Sequence, residues 1–263
     1  MHDCPHESRA AGQLRPMTSH PDTERVTTAD TTAAAPPRRA AVLAGGVALL
    51  AVAVVFAVVM RADRARLVMS MDERWLSLVR RTRSAPLTEG FKILSLIGGP
   101  VGATIIVCAV CAGLLLIGRW RTVIYLGLAE ALGSTCSDLI KHFVYRHRPP
   151  HPLVVADIGS FPSGHVITTI GVGIALSVIF VRPGRRRRAL AAVAAAGLLM
   201  MFCRTYLAAH WLSNTLESLP VATGVGLILY WCFWPLVRQD RDRPVRVPGW
   251  LPRPARLRPQ HRT

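Results

Sequence analysis

The chain has 263 residues, 51% of them apolar, with a formal net charge of +17 and a mean hydropathy of +0.33. Its apolar residues gather into long blocks almost free of charge, the length a helix needs to cross a bilayer core of about 30 Å, so an all-α polytopic membrane protein is expected rather than a soluble domain. The charge does not point to nucleic acid: of 32 basic residues only Lys92 and Lys141 are lysines, and most arginines stand in tails and in short connections between apolar blocks, where they set orientation and meet anionic headgroups.

Residues 1–39 are polar, rich in Thr, Ala and Pro, and read as a disordered cytoplasmic tail. The first apolar block, Ala40–Met60, reads as a transmembrane helix, with no clear cleavage site for a signal peptide. In the charged stretch that follows, Met71, Trp75, Leu78 and Val79 recur at helical spacing. A short helix lying on the membrane surface is expected there, anchored by Trp75. The second span is placed at Ile93–Gly118, loosened at its start by Gly98-Gly99-Pro100. Further spans are expected at Thr122–Ile140, Gly164–Val181, Ala189–Cys203 with its continuation, and Leu212–Val237, giving six. The six-span domain is bounded as 40–237, followed by a basic cytoplasmic tail, 238–263.

Charge asymmetry gives the orientation. With both termini inside, the cytoplasmic side carries 20 Lys and Arg against 12 outside, which favours two cytoplasmic termini and places segments 141–163 and 204–210 together on the extracytoplasmic side. The cysteines form no disulfide framework. Five lie in or beside apolar segments, and Cys108 and Cys111 read as small packing residues rather than a metal or redox pair.

Three polar clusters stand where spans end on the outer side: Lys141 to Arg148-Pro149, Phe161-Pro162-Ser163-Gly164-His165, and Arg204 through His210 to Asn214. Ionisable groups at membrane depth are costly, which marks them as functional candidates. Lys141, Arg148 and Arg204 supply three positive charges, two of them planar forks suited to phosphate oxygens. Ser163 and Gly164 precede a helix, a ready anion site. Two histidines suffice for one nucleophile and one general acid. The set reads as a phosphoryl-transfer site that uses no metal and no cofactor.

Lys-x6-Arg-Pro, Pro-Ser-Gly-His and Arg-x5-His-x3-Asn, in this order, resemble the type-2 phosphatidic acid phosphatase and vanadium haloperoxidase superfamily, in its bacterial membrane lipid phosphatase branch. The resemblance extends from about Leu67 to Trp231. It implies that Lys141, Arg148, Ser163, Gly164 and Arg204 bind phosphate, that His210 attacks phosphorus to form a phosphohistidine, and that His165 protonates the leaving oxygen. Asn214 stands where the family has an Asp that orients the nucleophile. Its side-chain carbonyl can accept the imidazole N–H but supplies no charge. Glu217, two turns along the helix from His210, is a candidate auxiliary carboxylate. His142, His147 and His151 lack accompanying carboxylates and read as loop residues rather than metal ligands, as Asp157 reads as solvated. Asp138, three residues before Lys141, reads as a charge partner of Lys141 or of another motif cation rather than as a catalytic acid.

The resemblance implies a lipid phosphate or pyrophosphate substrate drawn from the bilayer, with an isoprenyl pyrophosphate favoured and a phosphatidic acid-type lipid as the other class. A different reading follows from Asn214: a catalytically impaired relative that binds or translocates a phospholipid. A haloperoxidase holding vanadate in the same pocket fits poorly with six spans.

Overall fold

A computed structural model of the chain describes residues 36–62, 66–155 and 159–243. Most of the two expected tails, and Asp157, lie outside the described residues. These form eight α-helices in chain order: α1 Pro36–Arg61, α2 Arg66–Arg81, α3 Ala85–Gly98, α4 Pro100–Leu116, α5 Trp120–Val144, α6 Gly164–Phe180, α7 Arg186–Tyr206 and α8 Leu212–Asp242. An all-helical membrane fold is thus observed. Lipid tails cannot satisfy backbone polar groups, so a chain this apolar closes its hydrogen bonds within helices.

The expected count of six spans is not reached by length and composition. Four helices are long and apolar enough to cross a bilayer (α1, α5, α7 with the turn before it, and α8), and α3 with α4 makes a fifth if the bent pair is one span. The bend is 48° and falls at Gly99, where Pro100 removes a backbone donor and begins a new helix. The remaining segment, α6, has 17 residues, about 25 Å of rise, shorter than a hydrocarbon core. Its first turn starts inside the protein, at the polar site.

Many large apolar side chains point outward, among them Val54, Val55, Leu96, Ile105 and Leu198. Lipid is as apolar as a protein core, so helix association here rests on close packing rather than on burial from water. Gly46 on α1 and Gly224 on α8 show how. A Cβ on Gly46 would come within 2.9 Å of Ile228 Cγ1, and one on Gly224 within 2.9 Å of Leu50 and 3.0 Å of the Gly46 carbonyl. Two large buried clusters fill most of the bundle, beside a small third one of Ala57, Val144 and Phe161. One joins Phe91, Val166, Ile167, Met200, Tyr206 and Val221; the other joins Tyr125, Leu126, Val172, Ala175, Val225 and Leu229.

The expected surface helix is α2, but its inward face differs from the stripe of Met71 and Leu78, both of which are exposed. Asp72, Leu76 and Val79 are the buried residues. Trp75, expected as an interfacial anchor, packs its ring edge-on against Phe202 at 6.3 Å between centroids. An outward apolar stripe satisfies lipid, and the inward face is set by what the site needs.

Candidate active site

Helices α5 and α7 end, and α6 and α8 begin, at one end of the bundle. The connections there hold each other by main-chain bonds: Leu153 N to the Leu207 carbonyl at 2.9 Å, Ser160 N to the Arg146 carbonyl at 2.9 Å, and Ser163 N to the Asn214 carbonyl at 3.3 Å. The three polar clusters of the sequence therefore meet at this end.

The turn that carries His210 is tight and fully buried. Ala208 takes a left-handed conformation at φ 52°, and Ala209 N and His210 N both return to the Arg204 carbonyl, at 3.0 and 3.3 Å. Such a C-terminal cap reverses the chain at once, which brings His210 back over the arginine six residues before it. Arg83 pins the same turn by donating twice to the Tyr206 carbonyl, at 3.1 and 2.6 Å. Burial, and then the neighbouring Arg80, lower the Arg83 pKa.

His210 is 3% exposed, and its Nδ1 lies 2.6 Å from the Ser160 carbonyl oxygen. A carbonyl only accepts, so Nδ1 carries the proton and Nε2 keeps its lone pair. Nε2 in turn accepts from Arg148 Nη1 at 3.3 Å, while the same Nη1 donates to the Ala209 carbonyl at 2.6 Å. Desolvation lowers the His210 pKa well below its ordinary value, and Arg204, Arg148 and His165 push in the same direction against the opposing bond to Ser160. The imidazole is thereby held neutral with one nitrogen directed at the cations.

His165 sits in the first turn of α6. Its Nε2 lies 3.3 Å from Ser95 Oγ, which also accepts a hydrogen bond from Arg204 Nη1. Gly99, at the α3–α4 break, is packed so closely that a Cβ there would stand 2.7 Å from His165 Nε2. Arg204, Ser95 and His165 line a cavity of about 290 Å³ together with Lys92 and the apolar Leu96 and Val101. A larger apolar cavity of about 580 Å³, between α1, α6, α7 and α8, contains none of the motif residues.

Ser163 caps α6 without a side-chain cap bond, and its buried Oγ has no protein partner. Buried hydroxyls are nearly always bonded, so an orphan at a helix N-terminus fits a ligand oxygen. Gly164 leaves room beside it: a Cβ there would lie 3.9 Å from Lys141 Nζ. Lys141 pairs with Asp138 at 3.1 Å, one of the two charge pairings expected for that acid.

The structure does not use Asn214 as the sequence suggested. The His210 N–H goes to Ser160, and the Asn214 Oδ1 accepts from Arg146 Nη1 at 2.5 Å, while its buried Nδ2 has no partner. Glu217 is 2% exposed with Oε1 unpartnered, and no hydrogen bond joins it to His210 or Asn214. Its carboxylate is thus not placed to replace the missing charge. Among the described residues no three His, Cys, Asp or Glu side chains converge as a metal site.

Sequence reasoning missed Ser95, Ser160, Arg146 and Asp72. Ser160 acts through its main chain, which has no side-chain signature. Asp72 had one: it is the acid at the head of the Asp72-Leu76-Val79 face.

Residues 122–238 match the PAP2 superfamily model. The match begins later than the expected likeness from Leu67, leaving out α2 to α4. The PAP2-type phosphatidylglycerolphosphate phosphatase from Bacillus subtilis has a similar fold, with a TM-score of 0.55 at 18% identity over 75% of this chain and 96% of that one. LpxE from Aquifex aeolicus aligns at 21% identity over 59% of this chain and 92% of its own, with a TM-score of 0.48. No curated protein matches the chain. Residues 122–238, from α5 into the end of α8, thus carry a PAP2 superfamily domain within a helical membrane fold.

Proposed function

We propose that this protein is an integral membrane phosphatase that hydrolyses a lipid phosphate or pyrophosphate. The observation that carries the reading is the state of His210: Nδ1–H fixed on the Ser160 carbonyl, and Nε2 unprotonated beside the Arg148 guanidinium. A phosphoryl group held by Lys141, Arg148, Arg204 and the Ser163 hydroxyl would present phosphorus to that lone pair. The Nε2–P bond forms as the bond from phosphorus to the lipid-side oxygen breaks, and that oxygen takes the proton of His165. Water then attacks the phosphohistidine, giving a proton back to His165, and phosphate leaves with His210 restored. Stabilisation of the transferring oxygens by fixed cations is the largest expected contribution. The chemistry needs no metal.

Membrane helices around the site favour a lipid-borne substrate, and the apolar Leu96 and Val101 in the cavity at the α3–α4 break suit its chain. An isoprenyl pyrophosphate is the favoured class on family analogy, with a phosphatidic acid-type lipid as the other. Charge asymmetry supports cytoplasmic termini and a site on the outer face.

A second reading, a phospholipid binder without turnover, is favoured by Asn214, which leaves His210 with no carboxylate partner. The two separate in one experiment. The protein in detergent, with chelator present, is expected to release phosphate from isoprenyl pyrophosphate or phosphatidic acid, and His210→Ala to abolish release. Lipid binding without release by the wild type would establish the binder.

A further inference from the structure

Asp72 lies on α2, outside every motif, yet it is 2% exposed and both of its oxygens are occupied. Oδ1 accepts from Ser213 N at 2.8 Å, and Oδ2 accepts from Ser213 Oγ at 2.6 Å and from Arg146 Nη2 at 2.7 Å. Arg146 Nη1 donates to Ser213 Oγ at 2.7 Å and to Asn214 Oδ1 at 2.5 Å. Acid, guanidinium and hydroxyl form a closed ring, and Asn214 takes a further bond from the outer arm of the fork.

The position of this ring gives it meaning. Arg146 is two residues before Arg148, and Ser213 is three residues after His210. The ring therefore clamps the two segments that carry the contact between Arg148 Nη1 and His210 Nε2, 3.3 Å long. Arg146 and Arg148 lie outside any helix, and His210 lies in the turn before α8, so neither contact residue is held by a helical ladder. A buried guanidinium also needs its carboxylate, because removing one partner leaves the other charged and desolvated. With Asp72 on one arm of Arg146, a neutral amide oxygen on the other satisfies the fork without a second negative charge beside the phosphate site.

We propose that Asp72 is a positioning residue for the reaction: acting through Arg146 and Ser213, its carboxylate holds the Arg148 and His210 segments in register and so sets the approach of the nucleophile to the phosphate-binding cations. Helix α2 is then part of the active site, not only a surface anchor.

This rests on the phosphatase reading, and the test keeps the two apart. Wild type that releases no phosphate overturns that reading before any variant is compared. With wild type active, Asp72→Asn is expected to lower kcat about 10–100-fold, with KM within about threefold, because the cations that bind the phosphate remain. The decisive arm is the double variant Asp72→Asn with Asn214→Asp, which moves the carboxylate from one arm of the Arg146 fork to the other. It is expected to recover most of the lost kcat, whereas losses from mere packing would add. Should Asp72→Asn not fold, Arg146→Lys, which keeps the charge but not the fork, is expected to lower kcat by a similar factor. The proposal is overturned if Asp72→Asn (or, in its place, Arg146→Lys) keeps kcat within twofold of wild type, or if the double variant is no faster than Asp72→Asn.

Discussion

At the end of the bundle where α5 begins and α8 finishes, half-buried arginines serve as fasteners. Arg121 pairs with Asp240 at 3.3 Å, and the same carboxylate caps α5 by accepting from Thr122 N and Oγ1 at 3.0 and 3.2 Å. Arg186 and Arg241 donate to the last carbonyls of α6, Val178 and Ile179, and both stack on Trp234. Their charges complement helix termini. At the other end Asp72 is taken by Arg146, and Asp138 by Lys141. Arg148 donates to the Ala209 carbonyl and to His210, and Arg204 donates to the Ser95 hydroxyl. The first arrangement holds helices together; the second gathers positive charge around a neutral imidazole, which suits the proposed anionic substrate.

This contrast can be broken by substitution. Arg204→Ala is expected to lower turnover about 10²–10³-fold, the usual loss on removing one transition-state donor. Arg121→Ala, at the far end, is expected to leave phosphate release near wild type, and equal losses in the two would erase the distinction. Next in size is Gly99→Ala, whose methyl would force His165 aside. A fall of about 10²-fold in kcat is expected, as misplacement by about 1 Å can cause, and single-turnover rates would show it. Asp240→Asn should cost about 1–3 kcal/mol of stability through the weakened cap and ion pair. A detergent melting curve would show this, with kcat unchanged.

The contrast also fixes a pH dependence. Burial and the cations Arg204 and Arg148 lower the His210 pKa, so the acid limb of kcat/KM should fall below the ordinary histidine value of about 6.5. Removing Arg204 takes away one of these depressing charges, so the residual activity of Arg204→Ala should show its acid limb moved towards higher pH. The smallest effect is expected at Ala208, where φ is 52°. Ala208→Gly relieves a left-handed alanine and should raise stability by up to about 1 kcal/mol with little change in turnover.

Much of this was legible in the sequence, for reasons the molecule makes plain. Apolar blocks become helices because a bilayer offers no other partner for the backbone, and Gly98-Gly99-Pro100 breaks a helix wherever it occurs. The three polar clusters stood out because charge at membrane depth is rare. The inward face of α2 was not legible, since lipid and protein interior both accept Met71 and Leu78, and periodicity alone does not tell them apart. Nor could spacing reveal that His210 leans on the Ser160 main chain while Asn214 faces Arg146. Those choices depend on how segments 50 or more residues apart come together.

The most direct test of the account is to trap the covalent intermediate. Quenching the enzyme in single turnover with a radiolabelled lipid phosphate should leave label on residue 210, lost in His210→Gln. Turnover with no label on His210, or label that persists elsewhere in His210→Gln, would contradict the assignment of His210 as nucleophile.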